Sequence, residues 1–150
     1  MRYAFPCNIV PDEEEREATG REAYVVTFPD VPEAITGGDS WQEAKEMAAD
    51  GLGVALGMYV KAKQDIPKPS PLEDGQVLIA VPPIIAAKLA LYTAMREQNI
   101  TNVALAAKLG IYESAVRRIV DPNHRSHISQ IEKALQAVGR SLVIEDRTAA

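Results

Sequence analysis

The chain has 150 residues, 47% of them hydrophobic, with 21 acidic and 16 basic side chains and a net charge of −5. That length supports one domain or two small ones with a real core, and it holds neither an apolar run near the ~20 residues that span a bilayer nor an opening signal peptide. The single cysteine, Cys7, excludes an internal disulfide and a cysteine-only metal cluster and reads as a small apolar strand residue, so a bacterial-type cytoplasmic protein fits best.

Arg2–Val10 alternates loosely and predicts a strand, and Pro11–Gly20 reads as an acidic connection. Ala23–Phe28, rich in β-branched and aromatic residues, is a second strand that Pro29 and Pro32 end. A short third strand around Ala34–Thr36 precedes Gly37-Gly38, a turn signal, and the three strands imply an antiparallel sheet. Ser40 is a good N-cap, and Glu43 three residues later completes a capping box, with Asp39 adding negative charge at the positive helix end. Trp41, Ala44, Ala48, Leu52, Ala55 and Tyr59 then recur at helical spacing and place one face on the sheet, with Trp41 and Tyr59 in the core. Gly51, Gly53 and Gly57 weaken that helix and imply close approach of another backbone. Lys63–Gly75, with three prolines, marks a domain boundary, and Gln76–Val81 is a fourth strand at an edge of the sheet.

Pro83–Gln98 predicts an amphipathic helix with Ile84, Ala87, Leu91, Ala94 and Met95 inward, since proline suits a first helical turn. The next stretch, Asn102–Val120, reads as a helix-turn-helix. Thr101 caps its first helix, Leu105, Ala106 and Leu109 form the inner face, Gly110 makes the turn and Ile111 plugs it. Val116 and Ile119 line the inside of the second helix. Tyr112, Glu113, Ser114, Ala115, Arg117 and Arg118 are left at the helix start or outward, where such motifs meet base edges and phosphates. The alternative is an ordinary helical hairpin whose Ala and Gly serve packing. Pro122 ends the second helix, Ser129–Val138 forms another that Gly139 stops, and Ser141–Ile144 reads as a short strand whose partner would come from a second copy.

The charge divides along the chain. Residues 1–66 carry thirteen acids and six bases, and residues 67–150 carry eight acids and ten bases. Between Lys88 and Arg140 eight bases face four acids, which points to a basic surface on the second half. An acidic front and a basic back suggest two partners of opposite sign.

With both halves in view, the chain resembles the HicB family of antitoxins, in the branch that ends in a helix-turn-helix. The likeness runs from about Tyr3 through Tyr59, most distinctively Tyr24–Glu46 (YVVTFPDVPEAITGGDSWQEAKE), and again over Pro83–Val143, through Lys88-Leu89-Ala90-Leu91-Tyr92 and Val116-Arg117-Arg118. The resemblance implies an α+β protein. Residues 1–81 would be a truncated ribonuclease-H-like βββαβ domain, with a Pro-rich connection at about 64–75. Residues 82–150 would be an all-α helix-turn-helix domain with a short terminal strand, which dimerises. The first would bind and occlude a small, basic, HicA-like mRNA-cleaving ribonuclease toxin, and the second would repress the operon. Where family members often have a short Asp-Gly-Gly-type link between the first two strands, Pro11–Arg21 is longer and acidic.

Asp12, Glu13 and Glu14, with Asp30 and Glu33, are the candidate toxin contacts, the acidic run serving to speed association or simply forming a solvated loop. Ribonuclease-H-type catalysis needs carboxylates converging on two metal ions, and Tyr3–Val10 holds none where the active fold places its first ligand, so no enzyme activity, metal or cofactor is expected. His124 and His127 are three apart with only Asp121 to join them, a pattern of loops more than of metal sites. The DNA-contact candidates are Thr101, Tyr112, Glu113, Ser114, Arg117, Arg118 and Arg125; an arginine reads guanine bidentately or clamps a phosphate, unless Glu113 or Asp121 holds it as a brace. The rival readings are a stand-alone regulator with an N-terminal ligand-sensing domain, and a nuclease using the N-terminal carboxylates.

Overall fold

The computed structural model describes residues 1–148. The described residues form two compact units, one of residues 1–58 and 67–82, the other of residues 59–66 and 83–148. In the first, β1 (Ala4–Pro11), β2 (Tyr24–Thr27), β3 (Ile35–Gly38) and β4 (Val77–Ala80) make an antiparallel sheet in the order β3-β2-β1-β4. β1 is shared lengthwise, since Ala4–Cys7 pair with β4 and Asn8–Pro11 with β2. Strand alternation buries Phe5, Cys7 and Ile9 of β1, together with Val26 and Phe28 on the second strand's chain. The helix α2 (Trp41–Lys61) buries Ala44, Ala48, Leu52, Ala55 and Leu56.

The capping box forms: Ser40 Oγ accepts from the Glu43 N–H at 3.1 Å. The Glu43 carboxylate reaches one residue further back than the usual pattern, accepting from the Asp39 N–H at 2.9 Å. Trp41 is not core. It is 43% exposed and meets the Tyr24 ring edge-on at 6.1 Å, because the first residue of a helix has no preceding turn to cover its other side. Tyr59 is half-buried.

Two local expectations are corrected. Pro11–Gly20 is no open connection, because Glu13–Thr19 form a helix, α1. The Asp12 side chain accepts from the Glu15 N–H, three glutamates fill the first turn where the helix dipole favours them, and Gly20 ends it at φ 71°. None of its residues is buried, so no apolar spacing announced it. The βββαβ order is thus present with α1 inserted. Gly37 and Gly38 are the last residues of β3 rather than a turn. A β-carbon on Gly38 would lie 2.5 Å from the Ala44 backbone nitrogen, and one on Gly37 2.5 Å from the Tyr24 carbonyl oxygen. The tight backbone approaches fall there, while Gly51 faces the Thr36 side chain at an ordinary 3.6 Å.

The proline-rich stretch is anchored. The Asp30 carboxylate accepts from the Ser70 N–H at 2.8 Å and from its hydroxyl. In the second unit, Tyr92 donates to the Gln64 carbonyl at 2.7 Å and Arg96 pairs with Asp65 at 2.9 Å.

That second unit consists of α3 (Pro83–Gln98), α4 (Asn102–Leu109), α5 (Glu113–Val120) and α6 (Ile128–Ala137). Its core joins Ala87, Leu91, Ala94 and Met95 of α3 to Leu105, Ala106, Val116, Ile119, Ile131 and Leu135. Ile84, expected inward, is 37% exposed in the first turn of α3. Asn99 and Gly139 both take positive φ just past a helix, the conformation that ends one. Ser141–Ile144 forms no strand within the single chain: a ladder needs a partner, among the described residues this unit offers only helices, and the partner expected for it is a second copy. Val143 and Ile144 stand 85% and 81% exposed. No helix among the described residues is long and apolar enough to cross a membrane.

Cys7 is fully buried in β1, and burial pushes its thiol up to about 11. Because the thiolate is the nucleophile, the native chain will resist iodoacetamide at pH 8 over hours, while the urea-unfolded chain will be alkylated within minutes. Equal labelling rates, read by intact mass, would refute the burial.

Candidate nucleic-acid interface and acidic surface

Each end of the α4–α5 pair is fixed by a local rule. Thr101 Oγ1 accepts from the Ala104 N–H at 3.1 Å and starts α4. Gly110 takes φ 67° and returns its N–H to the last carbonyls of α4, and the Ile111 N–H reaches Ala106 O at 3.1 Å. Ile111 is 39% exposed, so these backbone bonds, rather than a buried plug, hold the turn. Tyr112 precedes α5 without a side-chain cap and stands 85% exposed. Burial of Leu105, Ala106, Val116 and Ile119 leaves Ser114, Arg117 and Arg118 outward on α5.

The two adjacent arginines differ. Arg117 is braced by Glu113, Nη2 to Oε2 at 2.6 Å and Nε to Oε1 at 3.4 Å, which ties its guanidinium to a carboxylate of its own helix. Arg118, and Arg125 in the loop beyond α5, are exposed with no ion pair among the described residues. Asp121 braces neither, because its carboxylate accepts from the Asn123 N–H at 2.9 Å. His127 Nδ1 caps α6, accepting from the Ser129 N–H at 3.2 Å. Among the described residues no three His, Cys, Asp or Glu side chains gather as a metal site.

The acidic candidates fall into two places. Asp12 caps α1, and Glu13 and Glu14 lie exposed on its first turn, at the end of β2 where Tyr24 pairs with Pro11. Asp30 and Glu33 lie beyond the opposite end, where Thr27 pairs with Ile35. Asp30 spends its carboxylate on Ser70, so Glu13 and Glu14 are the more available charges.

Lys88 belongs by sequence with the surface bases of its stretch, yet it is fully buried on the inner face of α3. Its ammonium donates to Arg118 O, Asp121 O, His124 O and Ser126 Oγ at 3.0, 2.8, 2.6 and 2.9 Å. Burial pushes its pKa below the ordinary lysine value, and the nearby Asp121 carboxylate offsets part of that. Two sequence signals pointed there: a lysine three residues before Leu91 and seven before Met95 shares their helix face, and Pro122 sits four residues after Arg118.

Residues 4–90 match the family model described as a HicB-like antitoxin of bacterial toxin–antitoxin systems. The protein named Antitoxin HicB 2 of Photorhabdus laumondii is 39% identical over 142 residues, 95% of this chain and 94% of its own length. Antitoxin HicB of Escherichia coli K12 is 34% identical over 142 residues, 95% of this chain and 96% of its own. A family model over more than half of the chain and relatives aligned over nearly all of it agree: the chain belongs to the HicB-like antitoxin family of bacterial toxin–antitoxin systems.

Proposed function

We propose that residues 1–81 bind and occlude a small HicA-like mRNA-cleaving ribonuclease toxin, and that residues 82–150 repress the chain's own operon as a DNA-binding dimer in the cytoplasm. The observation that carries this reading is the separation of exposed charge: Glu13 and Glu14 on the sheet unit, Arg118 and Arg125 on the helical one. An acidic face speeds encounter with a basic protein, and exposed arginines beside an outward helix suit phosphates and base edges. Neutralisation proceeds by covering the toxin's active surface, with no chemistry of the antitoxin's own. A two-fold pair would set two α5 helices one DNA turn apart, ~34 Å, on a palindromic operator. The exposed Val143 and Ile144 offer such a pair apolar surface to share.

The test is co-expression with the small protein encoded beside the gene. That neighbour should arrest growth alone, and this chain should restore growth and co-purify with it. A harmless neighbour, or two proteins that never associate, would overturn the reading.

A further inference from the structure

A buried lysine keeps its charge only where dipoles replace the water it has lost. Lys88 is 0% exposed, and its ammonium faces four oxygens within 3.0 Å, three of them backbone carbonyls of one short segment. Three N–H groups serve four acceptors, so one bond is shared, an arrangement open to a compact ammonium and closed to a planar guanidinium.

The segment needs that cation. Arg118 O lies in the last turn of α5, and its helical donor would be the N–H of residue 122. Residue 122 is proline and has none. Lys88 supplies the missing donor at the negative end of the helix, and in the same grip takes the carbonyls of Asp121 and His124. One side chain from α3 thereby closes α5 and shapes the turn from Asp121 to Ser126. Of the two exposed arginines without an ion pair among the described residues, Arg118 lies in the last turn of α5 and Arg125 in the Asp121–Ser126 turn.

We propose that Lys88 is the positioning residue of the DNA-reading surface, locking the end of α5 and the Asp121–Ser126 turn so that Arg118 and Arg125 are presented together. It touches no DNA and acts through those two side chains. This role rests on the DNA-binding reading above.

The test uses the full chain and the double-stranded DNA immediately upstream of its gene. Lys88→Met is nearly the same size, keeps the apolar stem and removes the ammonium, leaving Arg118 O only the long 3.4 Å bond from the Ser126 hydroxyl. It should weaken DNA binding about tenfold or more at temperatures where helical circular dichroism is unchanged, and should speed amide hydrogen exchange across residues 119–127. The deciding readout is a double-mutant cycle. In an Arg118→Ala/Arg125→Ala background, Lys88→Met should cost less than about twofold, because the groups it positions are gone. Equal cost in both backgrounds would overturn the role in favour of general stability, and so would unchanged binding by Lys88→Met alone. Should Lys88→Met not fold, Lys88→Ala titrated with n-propylammonium chloride, against sodium chloride at equal ionic strength, takes its place. Recovery with the amine alone supports the lock, and equal behaviour in both salts overturns it. Absence of wild-type binding to this DNA would overturn the DNA reading and the Lys88 role together. Wild-type binding with an indifferent Lys88 removes the role alone.

Discussion

Under the proposed function, replacing Arg118 and Arg125 together with alanine will weaken binding to the DNA upstream of the gene by roughly ten- to a thousandfold at about 0.1 M salt, from about 1–3 kcal/mol for a base contact and less for a phosphate contact. The slope of log K against log salt will flatten by about 0.9 for each phosphate that the variant no longer neutralises. Thermal stability will stay within about 0.5 kcal/mol, since both side chains are exposed and neither makes an ion pair among the described residues. Arg117→Ala makes the useful contrast. Its guanidinium is already bound by Glu113 at 2.6 Å, so its removal costs less DNA affinity, along with the about 0.3–0.5 kcal/mol of an i,i+4 helix pair. Fluorescence anisotropy across a salt series measures all three variants. An unchanged slope in the double variant would sink the assignment of these arginines to the DNA.

Gly38→Ala is expected to unfold the sheet unit or bring it close to that point. The added β-carbon would stand 2.5 Å from the Ala44 nitrogen and 2.9 Å from both the Ala44 Cα and the Glu43 carbonyl carbon. All three atoms are backbone at the start of α2, so no rotamer change can relieve the overlap. β3 or the helix must shift, against the Ser40–Glu43 capping box that fixes where α2 begins. Overpacking typically costs about 1–3 kcal/mol, and backbone on backbone belongs at or above the top of that range. In a unit of this size that lowers the melting temperature by about 10 °C or more. Gly51→Ala is the control, because its β-carbon meets Thr36 at an ordinary 3.6 Å, and alanine favours the helix by about 1 kcal/mol. Calorimetry of the two variants separates the cases, and a Gly38→Ala protein as stable as the parent would refute the close approach. Under the proposed function the same variant also loses toxin neutralisation while retaining DNA binding.

The features legible in the sequence were those set by neighbours along the chain. The cap at Ser40, the cap at Thr101, the turn at Gly110 and the inward stripe of α3 from Ala87 to Met95 all follow from spacings of three or four residues. Strand β2 followed from its β-branched and aromatic run, and the division of charge from counting alone. Helix α1 escaped because a fully exposed helix carries no apolar period, although its Asp12 cap and its Gly20 terminus were visible in the sequence.

What needed the tertiary structure were relations between residues distant in sequence. Whether Trp41 and Ile84 were covered depended on what stood beside the first turn of each helix. Gly37-Gly38 could be a turn or a strand end until the start of α2 was seen against it. Ser141–Ile144 has strand composition, but a ladder requires a second strand, and none of the described residues beside it provides one. Among the arginines, local spacing showed that Glu113 could hold Arg117, and only the fold showed Asp121 turned away to Asn123. Lys88 is the clearest case. Its charge read as surface from the sequence, and the fold converted it into the donor that Pro122 had removed from α5, because three carbonyls thirty or more residues away converge on one buried ammonium. The sequence determined most of the helices and strands, and the caps and charge, of this protein through short-range sterics and hydrogen bonding; the tertiary structure decided which charges remain available to a partner, because availability depends on burial and on partners from other elements.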